Sequence, residues 1–508
     1  MARPACDRIW PFLFRETKFN VMLGAYKNFI GGKWVPSGSG RTFVSLNPAT
    51  ERPLGKFQAS NGHDVDTTIE AAENAFPEWS RTPAPKRAAI LLKAAELMRG
   101  QKERLSRLVT MEMGKVIKEG RGDVQEAIDT LEYFAGEGRR LLGYTTTSEL
   151  KDKFAMTIRR PVGVFGLITP WNFPIAIPSW KIAPALVCGN TVVFKPSSDT
   201  PLCATEFARI LERAGVPNGV LNLVTGHADP VGVKMVHDER VLGLSFTGSR
   251  ATGEWILQNA GIKKLGMELG GKNGIIVMDD ADLGLALEGA IWGGFGTTGQ
   301  RCTAASRVIL HEKVAARFTR MLVERTKKLK VGNGLDGKTD VGPVINRAAL
   351  EKIHTYTKIG IEEGAKLLCG GGPIRGKGFF YKPTVFADVA PDMRIAQEEI
   401  FGPNVGLIRV RDFDEAIDVM NGIKYGLSSA IYTRDMRAAF KAIESIEAGL
   451  TYINSSTIGS EVHLPFGGVK GTGIGTREAG IEGVNEFSEV KTVYVDYSGK
   501  LQKAQIDT

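Results

Sequence analysis

The sequence predicts an α/β protein built on two doubly wound parallel sheets, with a small β arm outside them. Three observations lead there. Short apolar runs at 162–168, 191–194, 220–224, 241–246 and 265–269 each give way to Gly or Pro before a helical segment. Strands covered on both faces by helices read in this way. The pattern restarts after Gly271 with a strand at 274–278, a helix at 281–291 and strand-like runs at 306–310, 405–408, 429–432 and 450–454. Finally, 508 residues are too many for one ordinary core.

Taken in order, Asp64 is placed to cap a helix whose Val65, Ile69, Ala72 and Phe76 share one face. Residues 83–113 and 121–142 continue in helix formers. At Phe154, Met156 and Ile158 the period changes, alternating with Ala155, Thr157 and Arg159 as a strand with two unlike faces does. Thr200 as cap, Pro201 in the first turn and Gly215 as stop frame one further helix. The glycine-rich 370–378 reads as a surface loop. The apolar stretch at 9–14 is too short, and broken by Pro11, for a secretory segment, so residues 1–21 are expected to be a disordered extension ahead of a start at Met22.

Composition excludes several function classes. Apolar content of 43% and charged content of 24% are ordinary globular values. The net charge of +9 has its densest basic run at 325–330, which reads as the last turn of a helix, where cations suit the dipole. There is no basic block with interleaved aromatics and no zinc spacing, so neither a nucleic-acid partner nor a metal is expected. The five cysteines are odd in number and never spaced Cys-x-x-Cys, which points to a reducing, cytoplasmic setting. The most apolar region, 162–194, is cut by Pro170, Pro174, Pro178, Lys181 and Pro184, so no membrane span is expected.

The chemistry concentrates around Phe295-Gly296-Thr297-Thr298-Gly299-Gln300-Arg301-Cys302-Thr303-Ala304-Ala305, where small residues leave one sulfur unshielded. Most lone cysteines are small buried hydrophobes. This one keeps company with Gly266-Met267-Glu268-Leu269-Gly270-Gly271-Lys272-Asn273, Thr169-Pro170-Trp171-Asn172-Phe173-Pro174 and Phe194-Lys195-Pro196-Ser197-Ser198. A carboxylate, an amide and a lysine in such loops are what acyl transfer through a thioester, with a dinucleotide as oxidant, requires. Phe246-Thr247-Gly248-Ser249-Arg250-Ala251-Thr252-Gly253 follows a strand and opens a helix, a place that favours a pyrophosphate, although its Gly-x-x-x-x-Gly spacing fits a plain turn equally well.

These segments, with a later Glu399-Ile400-Phe401-Gly402-Pro403, resemble the NAD(P)-dependent aldehyde dehydrogenase superfamily, of the hydrolytic rather than acylating type, over nearly the whole chain. The resemblance implies a Rossmann-like cofactor domain at 22–143 and 163–270, a catalytic domain at 271–475, and oligomerisation strands at 144–162 and 488–499 that make a homodimer or tetramer. It implies Cys302 as nucleophile, Glu268 as the base that activates water, and Asn172 with the Cys302 N–H as oxyanion donors. Ile168, Thr169, Trp171, Lys195, Ser197, Ser198, Gly248, Ser249, Gly253, Leu269, Glu399 and Phe401 are the implied cofactor contacts. Members that prefer NAD often carry Glu where this chain has Ser198; without that repelling carboxylate, and with Lys195 nearby, NADP is expected to be accepted. Glu268 also argues against transfer to a coenzyme thiol, since acylating members commonly lack it.

For the substrate, Arg301, Trp180, Thr303 and Phe466 are candidate contacts, with Trp292 and the loop 455–466. Arg301 beside the nucleophile can bind a distal carboxylate, which favours a semialdehyde of a dicarboxylic acid, or it can hold loops together. Trp180 stands where succinate-semialdehyde members tend to carry Arg, so a broad medium-chain or aromatic aldehyde specificity is the alternative. A catalytically silent binding protein is a third reading, against which both Cys302 and Glu268 count.

Overall fold

The computed structural model describes residues 24–506, so the reading of 1–21 lies outside the described residues. The first sheet has the order Lys264–Glu268, Val241–Thr247, Val164–Ile168, Thr191–Lys195, Leu221–Leu223, with the hairpin Asn28–Ile30 and Lys33–Val35 added antiparallel at one edge. Its five central strands are mutually parallel. The chain leaves Val164–Ile168 towards one side for Thr191–Lys195 and returns on the other for Val241–Thr247. This is the switch in strand order at whose carboxyl end a crevice opens. Phe165, Phe194 and Leu186 are fully buried between sheet and helices.

The second sheet runs Lys366–Cys369, Thr384–Ala387, Asn404–Val410, Ala305–His311, Asn273–Val277, Ser428–Tyr432, Leu450–Ile453, all parallel except the first pair. A third, antiparallel sheet joins Thr145–Thr147, Lys153–Pro161 and Ser488–Asp496, with Lys491 opposite Ile158 and Val493 opposite Met156. Phe154, Val490, Tyr494 and Val495 are exposed on it.

Local details differ from the sequence reading where tertiary groups intervene. The cap of Gly62–Arg81 is Asn61, not Asp64; Asp64 sits at the third helical position and answers the Asn61 N–H, completing a capping box. Thr200 gives no side-chain cap to Pro201–Ala214. The Leu202 and Cys203 N–H groups instead donate at 2.8 and 2.7 Å to the buried Glu112 carboxylate, 90 residues earlier in the chain. The long helical stretches break into Ala84–Arg99, Lys102–Met113 and Ile117–Glu137. Among the described residues no helix is long and apolar enough to cross a membrane.

Candidate active site

The helix Leu283–Phe295 delivers the chain to a tight turn in which Thr297, Thr298 and Gly299 take φ of 51°, 60° and 67°. Two consecutive β-branched residues in the left-handed region are strained. The turn is held from outside: the Thr297 N–H donates to Glu119 Oε1 at 2.6 Å and Thr298 Oγ1 donates to the Gly342 carbonyl at 3.0 Å. Gln300 is fully buried; its amide donates to the Thr297 carbonyl and its Oε1 accepts the Ile345 N–H, so it braces the loop.

Cys302 then emerges half-buried. Its carbonyl accepts a hydrogen bond from Asn273 Nδ2 at 2.6 Å. The same amide donates to the Ala304 carbonyl at 3.0 Å, and its Oδ1 accepts the Ser428 N–H at 2.9 Å. One side chain at the start of Asn273–Val277 thereby ties the Cys302 loop to the second sheet.

Glu268, the last residue of Lys264–Glu268, faces Cys302 across a cavity of about 550 Å3. Both its oxygens are buried without a hydrogen-bond partner. Gly467 makes the room, since a Cβ there would lie 2.4 Å from Glu268 Oε1. Burial, followed by the nearby Glu478 charge, pushes the Glu268 carboxyl well above its usual range, with Lys181 pulling the other way. Lys181 is itself buried, paired with Glu478 and donating to Ser245 Oγ at 2.7 Å. Burial pushes the Cys302 thiol up to about 12, with Glu268 and Glu399 adding to the effect.

Asn172 is buried, and one N–H of its amide donates to the Gln300 carbonyl at 3.1 Å, which leaves the other available beside the nucleophile's loop. Trp180, Phe466, Thr303 and Arg301 all border the cavity, and the Trp180 and Phe466 rings meet edge to face at 4.9 Å. The Arg301 guanidinium lies 5.1 Å from the Phe173 ring and 5.0 Å from that of Trp292. Its Nε donates to Thr297 Oγ1 at 2.8 Å and one Nη approaches Glu119 at 3.5 Å. Arg301 therefore does hold loops together, yet among the described residues its second Nη group has no hydrogen-bond partner, and the residue borders the cavity.

A second cavity, of about 420 Å3, opens at the switch point of the first sheet, bordered by Ile168, Lys195, Phe246, Thr252, Trp255 and Ile256 among others. Its mostly apolar walls suit a flat heterocycle. Burial lowers Lys195 to about 8; among the described residues its Nζ hydrogen-bonds the Pro196 carbonyl alone, at 3.2 Å. Ser249 caps the helix Arg250–Asn259, and Gly253 permits close packing, since a Cβ there would lie 2.4 Å from Leu269. Thr169 Oγ1 is buried without a partner. Gly248 stands in the turn beside this cavity, and Ser197 and Ser198 in the one after Lys195. At the other end, Glu399 Oε1 accepts the Gly271 N–H at 2.8 Å, and Phe401, at φ 61°, meets Trp171 edge to face at 5.4 Å. Glu398 turns away to pair with Arg394.

The sequence offered Lys181 and Gln300 as residues that could tune the site, but not the carboxylates Glu478 and Glu486 that join Lys181 in a buried cluster behind Glu268, where burial raises Glu486 to about 7. Two carboxylates more than 290 residues from the lysine they approach carry no local signal. Asn273 was visible in its motif, but its grip on the Cys302 carbonyl was not.

The family model for the Aldehyde dehydrogenase family matches residues 34–493. The alpha-ketoglutarate semialdehyde dehydrogenase of Haloferax volcanii is 44% identical over 93% of this chain and 99% of its own length. The betaine aldehyde dehydrogenase of Brucella anthropi is 40% identical over 92% and 97%. Among solved structures, a betaine aldehyde dehydrogenase of Staphylococcus aureus in complex with NAD+ is similar with a TM-score of 0.92 at 35% identity, over 94% of this chain and 97% of that one. An NADP-dependent enzyme of E. coli follows with 0.91 at 37%, over 93% and 98%. With a cysteine, a facing carboxylate and a crevice at the sheet switch point already in place, these likenesses establish that the chain belongs to the aldehyde dehydrogenase family.

Proposed function

We propose that the chain oxidises a semialdehyde of a dicarboxylic acid to the dicarboxylic acid, with Cys302 as nucleophile, Glu268 as base and Asn172 as oxyanion donor. The observation that carries the substrate class is Arg301, whose guanidinium borders the same cavity as Cys302 and Glu268 and retains an Nη group without a hydrogen-bond partner among the described residues. Relatives named alpha-ketoglutarate semialdehyde dehydrogenase in Haloferax volcanii and 2,5-dioxopentanoate dehydrogenase in Saccharolobus solfataricus support it.

An aldehyde carbon has no hydride to give until it becomes tetrahedral. The Cys302 sulfur attacks the carbonyl as Glu268 takes the thiol proton, and the free N–H of Asn172 with the Cys302 N–H holds the oxyanion. Such donors contribute about 3 kcal/mol each. NAD or NADP, when bound, supplies the hydride acceptor, with Lys195, Ser249, Glu399 and Phe401 among the residues that hold it. A thioester on Cys302 remains. Glu268 releases the thiol proton to solvent, then draws a proton from water as hydroxide adds to the thioester carbon; the carbon–sulfur bond breaks, the acid leaves, and the Cys302 sulfur takes the proton back from Glu268.

The apolar facing pair Trp180 and Phe466 favours a second reading, a broad medium-chain or aromatic aldehyde dehydrogenase. The exposed apolar residues of the third sheet support a homodimer or tetramer, and the unpaired cysteines a cytoplasmic setting. Reduced-nucleotide formation with a panel of aldehydes and semialdehydes, NAD and NADP, for wild type and Cys302→Ala, tests the whole. Turnover lost in the variant and strongest with acid-bearing aldehydes is expected; turnover equal for both aldehyde classes would remove the substrate assignment.

A further inference from the structure

The helix Ile117–Glu137 forms part of the cavity wall and places Glu126 on it, half-buried. Among the described residues, only its backbone is engaged, the carbonyl accepting from Thr130 Oγ1 at 2.7 Å. The other charged groups around it have partners. Asp123 pairs with Lys115 at 2.9 Å and accepts the Ala176 N–H at 2.8 Å. Asp129 accepts from Gln125 at 2.6 Å. Glu119, seven residues earlier on the same helix, holds the Thr297 N–H, and from other elements Glu288 pairs with Arg325 at 3.0 Å and Asp340 accepts the Lys330 N–H at 2.9 Å. Lys118 is exposed, roughly 12 Å away along the helix axis. Glu126 is left facing the cavity that Arg301 also borders.

We propose that Glu126 is a specificity-determining partner of Arg301: uncharged, its carboxyl O–H donates to the substrate carboxylate that the guanidinium holds; charged, it repels that carboxylate and competes for the cation. This rests on the reading that the aldehyde carries a distal carboxylate. Burial first, and Asp123 second, raise Glu126 to about 7, against the pull of Arg301 and Lys115. Below that pH the group is neutral and Arg301, approached by Glu119 at 3.5 Å, faces no added negative charge from Glu126; above it Glu126 adds a negative charge to the same cavity. Preference for acid-bearing aldehydes therefore falls as pH rises.

The test compares kcat/KM for 5-oxopentanoate and pentanal across pH, because ionisation of Cys302 and Glu268 acts on both and cancels in the ratio. In wild type the ratio falls about tenfold between roughly pH 6 and pH 8. In E126Q, which stays neutral and can still donate, it is flat. A flat wild-type ratio, or E126Q with the wild-type slope, overturns the inference. Should E126Q not fold by thermal unfolding, the wild-type profile alone decides. R301Q separates the two levels. A ratio unchanged by R301Q at every pH would remove the distal-carboxylate reading itself. A ratio collapsed by R301Q, with E126Q keeping the wild-type slope, would remove only the role of Glu126.

Discussion

Adding a single methyl group at Gly271 should disable the nucleophile without unfolding the protein. A Cβ at Gly271 would lie 2.3 Å from the Cys302 carbonyl oxygen and 3.1 Å from the Asn273 amide. The first of these neighbours is backbone, so no flexible side-chain end can swing aside. Asn273 holds the same carbonyl at 2.6 Å, so the loop cannot retreat without losing that bond. To reach ordinary van der Waals contact the two segments must part by roughly 1 Å, a displacement of reacting atoms that typically costs about a hundredfold in rate. Gly271→Ala is therefore expected to lower kcat/KM by about 100-fold, with slower alkylation of Cys302 and a thermal midpoint close to wild type. Gly62→Ala, where a Cβ meets nothing within 4 Å, serves as the control. Wild-type kcat/KM in Gly271→Ala would refute the account of how this loop is positioned.

Two further outcomes follow from other parts of the fold. Ser198→Glu restores a carboxylate in the turn after Lys195 and should lower the ratio of kcat/KM with NADP to that with NAD by about tenfold or more, since a 2′-phosphate would meet a like charge; an unchanged ratio would show that the ribose does not approach this turn. Glu112→Ala removes the acceptor of three hydrogen bonds, from Ser45 Oγ, the Leu202 N–H and the Cys203 N–H, at 2.8, 2.8 and 2.7 Å. At about 1 kcal/mol each it should destabilise the first domain by about 3 kcal/mol in urea unfolding, and a loss under about 1 kcal/mol would contradict the capping role assigned to it.

What could be read from the sequence was whatever depends on near neighbours in the chain. Continuous apolar strands between helices announced parallel sheets because burial on both faces leaves no polar side to alternate with. Cys302 stood out because glycines and small residues around a sulfur are costly unless something must approach it. Asp64 and Thr200 were misjudged for the opposite reason. Capping is a competition among acceptors, and the winners were Asn61, three residues from Asp64, and Glu112, brought in by a different helix. The charge environment of the site also lay beyond the sequence. Lys181, Glu478 and Glu486 are far apart in the chain, and only the packing of Ala176–Cys188 against Gly480–Glu486 and the ends of the first sheet sets them behind Glu268. The two roles of Arg301, brace and cavity wall, were likewise indistinguishable until Phe173, Trp292 and Glu119 were placed around it. Sequence by itself determined which strands and loops the chain carries and singled out Cys302, because these follow from local pattern and residue chemistry. Only the tertiary structure decided which charges surround Cys302 and Arg301, because that depends on which distant groups the packing brings to one cavity.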